Sequence, residues 1–206
     1  MRAAHVIFGT YGFWLPNDPR GSWSDFVGAW DLFRAAGRAT TVDTRHSRAA
    51  ATHDQAARRT AKTALKYPPV VLTGLQARTV GEAFYDFAQR SCLTVLACAI
   101  LPQHVHLVIA DYRYDAGQVV TLLKGAATKR LDEQSLHPMS PFPRHKGRFQ
   151  SCWARGEWKV FLDTFQDVER AVRYVENNPV KEGLKPQRWR IVTPLDDWLN
   201  PDPTPR

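Results

Sequence analysis

The sequence predicts an α+β fold of the ferredoxin-like type, a βαββαβ sandwich whose antiparallel sheet carries helices on one face. Three observations predict it. Residues 93–100 and 104–110 are apolar runs separated by a short turn, which is typical of two antiparallel neighbours in a sheet. Amphipathic helical patterns precede and follow this pair. A further strand pattern on either side completes the βαββαβ order.

The first strand is predicted over residues 3–14, which are rich in β-branched and aromatic types. Residues 20–68 fit no element of the sandwich and are interpreted as a basic insertion. Within it, residues 34–66 hold eight Arg and Lys against two Asp, most of the net +8 of the chain. The Ala-rich stretch 49–65 is predicted to be a helix with Thr52 as its N-cap. The insertion is interpreted as a flap that contacts DNA or as a mobile loop, with a solvated surface as an alternative that the sequence does not separate from them.

Continuous apolar runs and amphipathic periods predict the other elements. These are a helix over 73–90, strands over 93–100 and 104–110, a helix over 115–132, a strand over 153–162 and a helix over 164–177. Residues 137–150 are rich in proline and are predicted to form a loop. The last helix is predicted to start at Asp163 or Thr164, because both side chains are good caps. It is predicted to end before Pro179, because a residue that precedes proline avoids the helical conformation.

The composition favours a single domain over residues 1–198, followed by a proline-rich, disordered tail at 199–206. The three cysteines form no C-x-x-C pair, which argues against a disulfide framework and favours a reducing compartment. The sequence shows no signal-peptide core and no apolar run long enough to span a membrane. We therefore expect a cytoplasmic protein without a membrane partner. The net charge of +8 favours a polyanionic partner, most often nucleic acid.

Two histidines stand in the strand at 104–110 with one apolar residue between them. Side chains alternate between the two faces of a strand, so His104 and His106 point the same way while Val105 points the opposite way. Imidazole pairs of this kind suit a divalent metal. A pair of structural or surface histidines remains the alternative at this point.

The last helix supplies the groups that could complete such a site. Its core face carries apolar residues at helical spacing, namely Val168, Ala171, Val172 and Val175. Tyr174 falls well off this face, and Asn178, four residues on, shares its side of the helix. A phenol and an amide on one helix face could act together over a metal held by the histidine strand. The alternative is a tyrosine at the boundary of the core with a half-buried ring and a solvated hydroxyl.

Four segments, in the same order, resemble the single-tyrosine HUH transposases, and most closely their REP-associated branch. They are Phe-Gly-Thr-Tyr-Gly-Phe-Trp-Leu-Pro-Asn-Asp-Pro-Arg-Gly at 8–21, Leu-Pro-Gln-His-Val-His-Leu-Val-Ile at 101–109, Trp-Ala-Arg-Gly at 153–156 and Tyr-Val-Glu-Asn-Asn-Pro-Val-Lys-Glu-Gly-Leu at 174–184. The likeness covers residues 4–20 and 75–190, and the insertion is the part that does not match. The resemblance implies a ferredoxin-like HUH domain that cuts and rejoins single-stranded DNA.

The same resemblance implies a role for each matching residue. His104 and His106 would hold Mg²⁺ or Mn²⁺, with Asn178 as the third metal ligand. Tyr174 would be the nucleophile, which leaves a 5′-phosphotyrosine on the enzyme and releases a 3′-OH. Because Asn178 precedes a proline, Asn177 and Glu182 are spare candidates for the third ligand.

Members of this family recognise DNA hairpins, so the resemblance implies a single-stranded or hairpin DNA partner. Segment 144–159 carries a net +4 with two tryptophans among its charges. Cations follow a nucleic-acid backbone, and aromatic faces stack on unpaired bases. For Trp153 and Trp158, core packing is the alternative and is favoured for at least one of them. The predicted DNA-binding residues are Arg144, Lys146, Arg148, Arg155, Lys159 and Lys124.

The sequence therefore favours an enzyme of DNA transposition and recombination, an HUH endonuclease with a tyrosine nucleophile. The REP-like resemblance leans toward a monomer that acts within its own subunit, with a homodimer as the other possibility. In the cell such a protein would associate with the nucleoid when it binds DNA. Two alternatives stay open. One is a domesticated protein that binds DNA hairpins without turnover, and the other is a metal-dependent phosphoesterase that uses water as its nucleophile.

Overall fold

The computed structural model describes residues 2–42 and 51–200. Four strands and six helices are found in this part of the chain. In chain order they are β1 (Ala3–Gly9), α1 (Trp30–Ala36), α2 (Gln55–Thr63), α3 (Gly74–Ser91), β2 (Val95–Ile100), β3 (His104–Ala110), α4 (Ala116–Glu133), β4 (Trp158–Leu162), α5 (Phe165–Lys181) and α6 (Leu195–Leu199). None of the described helices is both long enough and apolar enough to cross a membrane.

The four strands form one antiparallel sheet in the order β2-β3-β1-β4. This order and the succession of β1, α3, β2, β3, α4 and β4 confirm the predicted ferredoxin-like α+β fold. The central strands β1 and β3 pair over their full lengths, with Ile7 opposite His106 and Gly9 opposite His104. The two predicted site histidines therefore lie on a central strand, where both neighbours fix their positions.

The two faces of the sheet bury different helices. The side chains of Val6, Phe8, Val105 and Leu107 pack in the larger core with α3 and α4. On the opposite face, Ala3 and Val108 pack against α5 through its predicted core residues Val168, Ala171, Val172 and Val175. The crossover helices α3 and α4 thus share one face as predicted, and the added helix α5 covers the other face. This second face is the one that carries His104 and His106.

Several predicted boundaries are wrong, for local physical reasons. Strand β1 ends at Gly9 and β4 begins only at Trp158, so both are shorter than predicted. The N-cap of α2 is Asp54 rather than Thr52, and its carboxylate accepts from the backbone N–H groups of Ala56 and Ala57. Helices α1 and α6 were not predicted, since both are short and lack a long apolar period.

Helix α5 does not end before Pro179 but continues to Lys181. Its start is the predicted Thr164, which forms a reciprocal capping box with Asp167. Proline removes one backbone donor from the last turn of this helix. Asn178 and Pro179 are both buried there, and the Asn178 amide contacts His106 of the sheet. Residues 43–50 of the insertion and 201–206 of the predicted tail lie outside the described residues.

Candidate functional site

His104 and His106 lie side by side on the sheet face that α5 covers, as the alternation along β3 predicts. Both are buried, and their ring centroids are 4.9 Å apart with a 68° angle between the ring planes. They sit where β3 begins and β1 ends, beyond the apolar contact between α5 and the sheet. This end of the face is therefore polar in a region that is otherwise packed with aliphatic side chains.

Tyr174 and Asn178 reach the histidine pair from α5. The Tyr174 ring centroid is 5.8 Å from that of His106, and the residue is 38% exposed. Asn178 is buried, and its amide Nδ2 lies 3.4 Å from Nε2 of His106. Because α5 remains helical through Pro179, the i,i+4 relation holds and both side chains meet the same imidazole. The Lys181 ammonium lies 4.7 Å from the Tyr174 ring centroid.

His5 is a third histidine of the site, and the sequence analysis missed it. It lies on β1 with its side chain on the same face, buried, with Nε2 3.2 Å from Nδ1 of His106. Its ring centroid is 5.7 Å from that of Tyr174. Side chains alternate between the two faces along β1, so His5 points away from the face that carries the core residues Val6 and Phe8. This alternation is the one sequence signal that could have identified His5.

The surroundings of His104 differ from those of His106. Phe13 stacks on the His104 ring with centroids 4.6 Å apart and planes within 10°. The Nε2 atom of His104 is 3.5 Å from Oε1 of Glu182, whereas its buried Nδ1 has no hydrogen-bond partner within residues 2–42 and 51–200. Of the two spare ligand candidates, Glu182 therefore reaches the site. The other, Asn177, donates from its side chain to the backbone oxygen of Arg173 on its own helix.

Burial sets the protonation state of these groups. It lowers the pKa of His5 and of His104 to about 4. Burial, together with the two neighbouring histidines, also lowers the pKa of His106 well below its usual value. Burial raises the pKa of the Glu182 carboxyl. All three imidazoles are thus neutral at pH 7, which is the form that binds a metal ion.

The donor set fits a divalent ion that accepts both nitrogen and oxygen ligands. Two ligand atoms bound at right angles to one ion at about 2.1 Å are about 3 Å apart. Nε2 of His104 and Oε1 of Glu182, at 3.5 Å, are close to that spacing. The 3.4 Å contact of Asn178 with Nε2 of His106 is made by its amide Nδ2, so the amide would have to turn to present its oxygen to an ion. No three His, Cys, Asp or Glu side chains within the described ranges are arranged to hold a metal. A metal site here would therefore depend on the Asn178 amide, with His104 and His106 as the nitrogen ligands.

The buried neutral histidines predict a specific pH dependence of stability. The free energy of unfolding of the metal-free protein should decrease as the pH falls from 6.5 to about 4. In that window the histidines are protonated in the unfolded chain and neutral in the folded one, so added protons favour unfolding. Above pH 6.5 both states are neutral, and this contribution is fully present. Each histidine contributes a slope of about 1.4 kcal/mol per pH unit.

Denaturant titrations across this pH range measure the slope, and the variant His5→Gln with His104→Gln serves as the comparison. Carboxylates away from the site titrate equally in both proteins, so the difference in slope reports the two histidines together with the part of the His106 shift that they cause. The unsubstituted protein should show the steeper loss of stability. Equal slopes would contradict burial of these imidazoles in the neutral form.

Five of the six predicted DNA-binding residues are exposed: Arg144, Lys146, Arg148, Arg155 and Lys159. Arg155 lies near the histidine end of the sheet, because the N–H of the preceding Ala154 donates to the oxygen of Gly9, the residue opposite His104. Lys124 is instead largely buried, and its ammonium donates to the backbone oxygens of Ala154 and Gly156 at 3.0 and 2.7 Å. Lys124 therefore holds the loop that precedes β4. For all six residues, contact with DNA stays a prediction.

The two predicted tryptophans occupy different environments. Trp153 is buried in the larger core beside Phe8, as the packing alternative expected for at least one of them. Trp158 lies half-buried on the site face, with its ring centroid 5.8 Å from that of His5. Only Trp158 is therefore placed next to the histidines.

The sequence matches no family model and no curated protein. Several solved structures are similar to it, including the following two. The first is a REP-associated tyrosine transposase bound to a REP hairpin, with 12% identity, a TM-score of 0.46, and coverage of 89% of this chain and 70% of the other. The second is a candidate transposase from Deinococcus radiodurans R1, with 16% identity, a TM-score of 0.42, and coverage of 86% and 91%. The chain is thus similar, over most of its length, to two solved chains that are described as transposases.

Proposed function

We propose that this protein is a metal-dependent single-stranded DNA endonuclease and strand transferase that acts on hairpin DNA through a 5′-phosphotyrosine intermediate. One observation carries the proposal. A half-exposed phenol, that of Tyr174, lies against a buried cluster of neutral histidines that also contains an amide and a carboxylate. A tyrosine that only packed in the core would have no reason to stand over such polar groups.

In the proposed reaction, Oη of Tyr174 attacks the phosphorus of the scissile phosphodiester and loses its proton. The new bond joins Oη to phosphorus, and the bond from phosphorus to the 3′ oxygen breaks, so that this oxygen leaves and becomes a 3′-OH. One phosphoester replaces another, so the bond energy is conserved and no nucleotide triphosphate is needed. A second 3′-OH reverses the step and joins a new strand.

A phenol is a weak nucleophile at neutral pH, so the reaction needs help from the site. Bound Mg²⁺ or Mn²⁺ would withdraw charge from the non-bridging phosphate oxygens and make the phosphorus easier to attack. His104, His106 and Asn178 would hold the ion, with the Glu182 carboxylate beside His104. The Lys181 ammonium beside the phenol attracts the phosphodiester toward the nucleophile.

Two further features support this reading of the substrate and of the active subunit. Arg155 is exposed and follows Ala154, whose N–H donates to Gly9 at the end of the sheet that carries the histidines. Cations of this kind bind the phosphate backbone of a hairpin without reading its sequence. Tyr174 lies over the histidines of its own chain, which supports a monomer that acts within one subunit.

The test is the formation of a covalent adduct. The protein is incubated with labelled single-stranded hairpins from the DNA flanking its gene, with Mn²⁺ or with EDTA, and run on a denaturing gel. Labelled DNA at the mass of the protein, present with Mn²⁺ and absent with EDTA, is the expected result. Cleavage without an adduct would instead support a phosphoesterase that uses water. Binding without cleavage of any flanking hairpin would support a domesticated binding protein.

A further inference from the structure

Three tryptophans form a continuous aromatic row beside the histidine cluster. The ring centroids of Trp14 and Trp23 are 6.4 Å apart with planes at 27°, and those of Trp23 and Trp158 are 5.9 Å apart with planes at 35°. At its inner end, the Trp158 ring meets His5 edge-on. Trp23 comes from the insertion, for which the sequence leaves both a DNA contact and a solvated surface open. The aromatic row, defined as Trp14, Trp23 and Trp158, thus links the insertion to the site.

The aromatic row is held in place by buried polar contacts. The indole N–H of Trp14 donates to the oxygen of Gly21 at 2.8 Å, and the Arg20 guanidinium lies 3.6 Å from the Trp14 ring centroid. Arg20 in turn forms a bidentate pair with the buried carboxylate of Asp18. A buried bidentate pair fixes the position of both side chains. These contacts fix Trp14, at one end of the aromatic row, within the loop that also carries Trp23.

Core packing does not explain the aromatic row. In the described part of the chain, none of the three apolar cores includes Trp14, Trp23 or Trp158, either as a buried member or as a residue packed against it. Trp23 is 42% exposed, although a large aromatic side chain gains most from full burial. A pre-formed and partly solvated aromatic surface is typical of a stacking platform.

We propose that the aromatic row binds an unpaired base of the DNA, in the single-stranded segment next to the scissile phosphate. This inference rests on the proposed function and names one feature of its substrate. From Trp23 the ring contacts run to Trp158, then to His5, then to Tyr174, each over less than 6 Å between centroids. A base on Trp23 therefore belongs to a nucleotide close to the phosphate that Tyr174 would attack.

Stacking also explains why tryptophan serves here. Every base has an aromatic face, so a tryptophan platform holds an unpaired base without regard to its identity, whereas paired bases within the hairpin stem are already stacked on each other. The basic side chains would hold the backbone while the aromatic row holds the base. The proposal thus requires an unpaired tail on the hairpin and predicts no contribution from the aromatic row when the tail is absent.

The test is direct binding in EDTA, so that neither metal nor cleavage is involved. Trp23→Ala should weaken binding of a hairpin with an unpaired tail by about 10-fold. It should leave binding of a tailless hairpin unchanged. Trp23→Phe, which keeps an aromatic face, should retain most of the affinity and also controls for folding. The matched control is Trp30→Ala, since Trp30 is another exposed tryptophan of the insertion that stacks only on Phe33 among the ring contacts described.

Abasic sites placed singly along the tail complete the test. At one position, an abasic site should weaken binding to the unsubstituted protein by the same factor as Trp23→Ala weakens binding of the intact tail. Trp23→Ala should then bind the DNA with that abasic site no more weakly than either single change does. Equal binding by Trp23→Ala and the unsubstituted protein would overturn the proposal, as would an equal loss with the tailless hairpin. Because this assay needs no adduct, a failure of the aromatic row and a failure of the phosphotyrosine mechanism are seen separately.

Discussion

Replacing Tyr174 with phenylalanine should abolish the covalent DNA adduct and reduce strand cleavage by roughly 10⁴-fold or more, as expected when a nucleophile is removed. The substitution deletes only the phenolic oxygen. The ring contacts with His5 and His106 and the cation–π contact with Lys181 remain available, so folding and hairpin binding should be preserved. The denaturing gel measures the adduct, and equilibrium binding to the same labelled hairpin checks that the substrate still binds.

Tyr114→Phe is the matched control for this prediction. Tyr114 is 40% exposed against 38% for Tyr174, and it precedes α4, away from the histidines. The control variant should form the adduct at the rate of the unsubstituted protein. If Tyr174→Phe still cleaved DNA without forming an adduct, the nucleophile would be water and not the phenol. An adduct that persists in Tyr174→Phe would place the nucleophile on another residue.

The parts of the site that could be predicted are those set by short sequence distances. The alternation of a strand places His104 and His106 together, and the turn of a helix places Tyr174 over Asn178. Neither relation needs knowledge of the partner strands. The same holds for the βαββαβ order, since each element carries its own apolar period.

His5 could not be assigned to the site in this way, because its contact with His106 spans 101 residues. It depends on the antiparallel pairing of β1 with β3 and on the register that sets Ile7 opposite His106. A single sequence does not specify which strands pair, and a slip by one residue would turn His5 to the other face. The aromatic row could not be predicted for the same reason, since Trp23 and Trp158 come from segments that meet only in the folded chain.

At Pro179 the sequence does make a local prediction, and that prediction is wrong. The rule that a residue before proline avoids the helix predicts an end at Asn177 or Asn178. The helix instead continues through Pro179 at the cost of one backbone bond, with both residues buried and the Asn178 amide in contact with His106 of the sheet. Had the helix ended there, Asn178 would not point at His106, so the site depends on this exception.

Replacing His5 with leucine should weaken Mn²⁺ binding by about 10- to 100-fold, although His5 is not among the proposed metal ligands. If Nε2 of His106 is to bind a metal, its proton must sit on Nδ1, and Nε2 of His5 lies 3.2 Å away to accept it. Leucine leaves this buried donor without a partner. Glutamine at position 5 carries an acceptor oxygen near the place of the lost nitrogen, so His5→Gln should retain most of the affinity.

Calorimetric titration with Mn²⁺ alone measures the effect without DNA or activity, and the ¹⁵N shifts of the His106 ring report its tautomer directly. The unsubstituted protein should show the proton on Nδ1, and His5→Leu should show a mixture of tautomers. His137→Leu is the matched control, since His137 is equally buried but stacks on Phe149 in the other core. It should reduce stability and leave the Mn²⁺ affinity unchanged. If His5→Leu bound Mn²⁺ with unaltered affinity, His5 would have only a packing role. The metal site would then depend on His104, His106 and Asn178 alone.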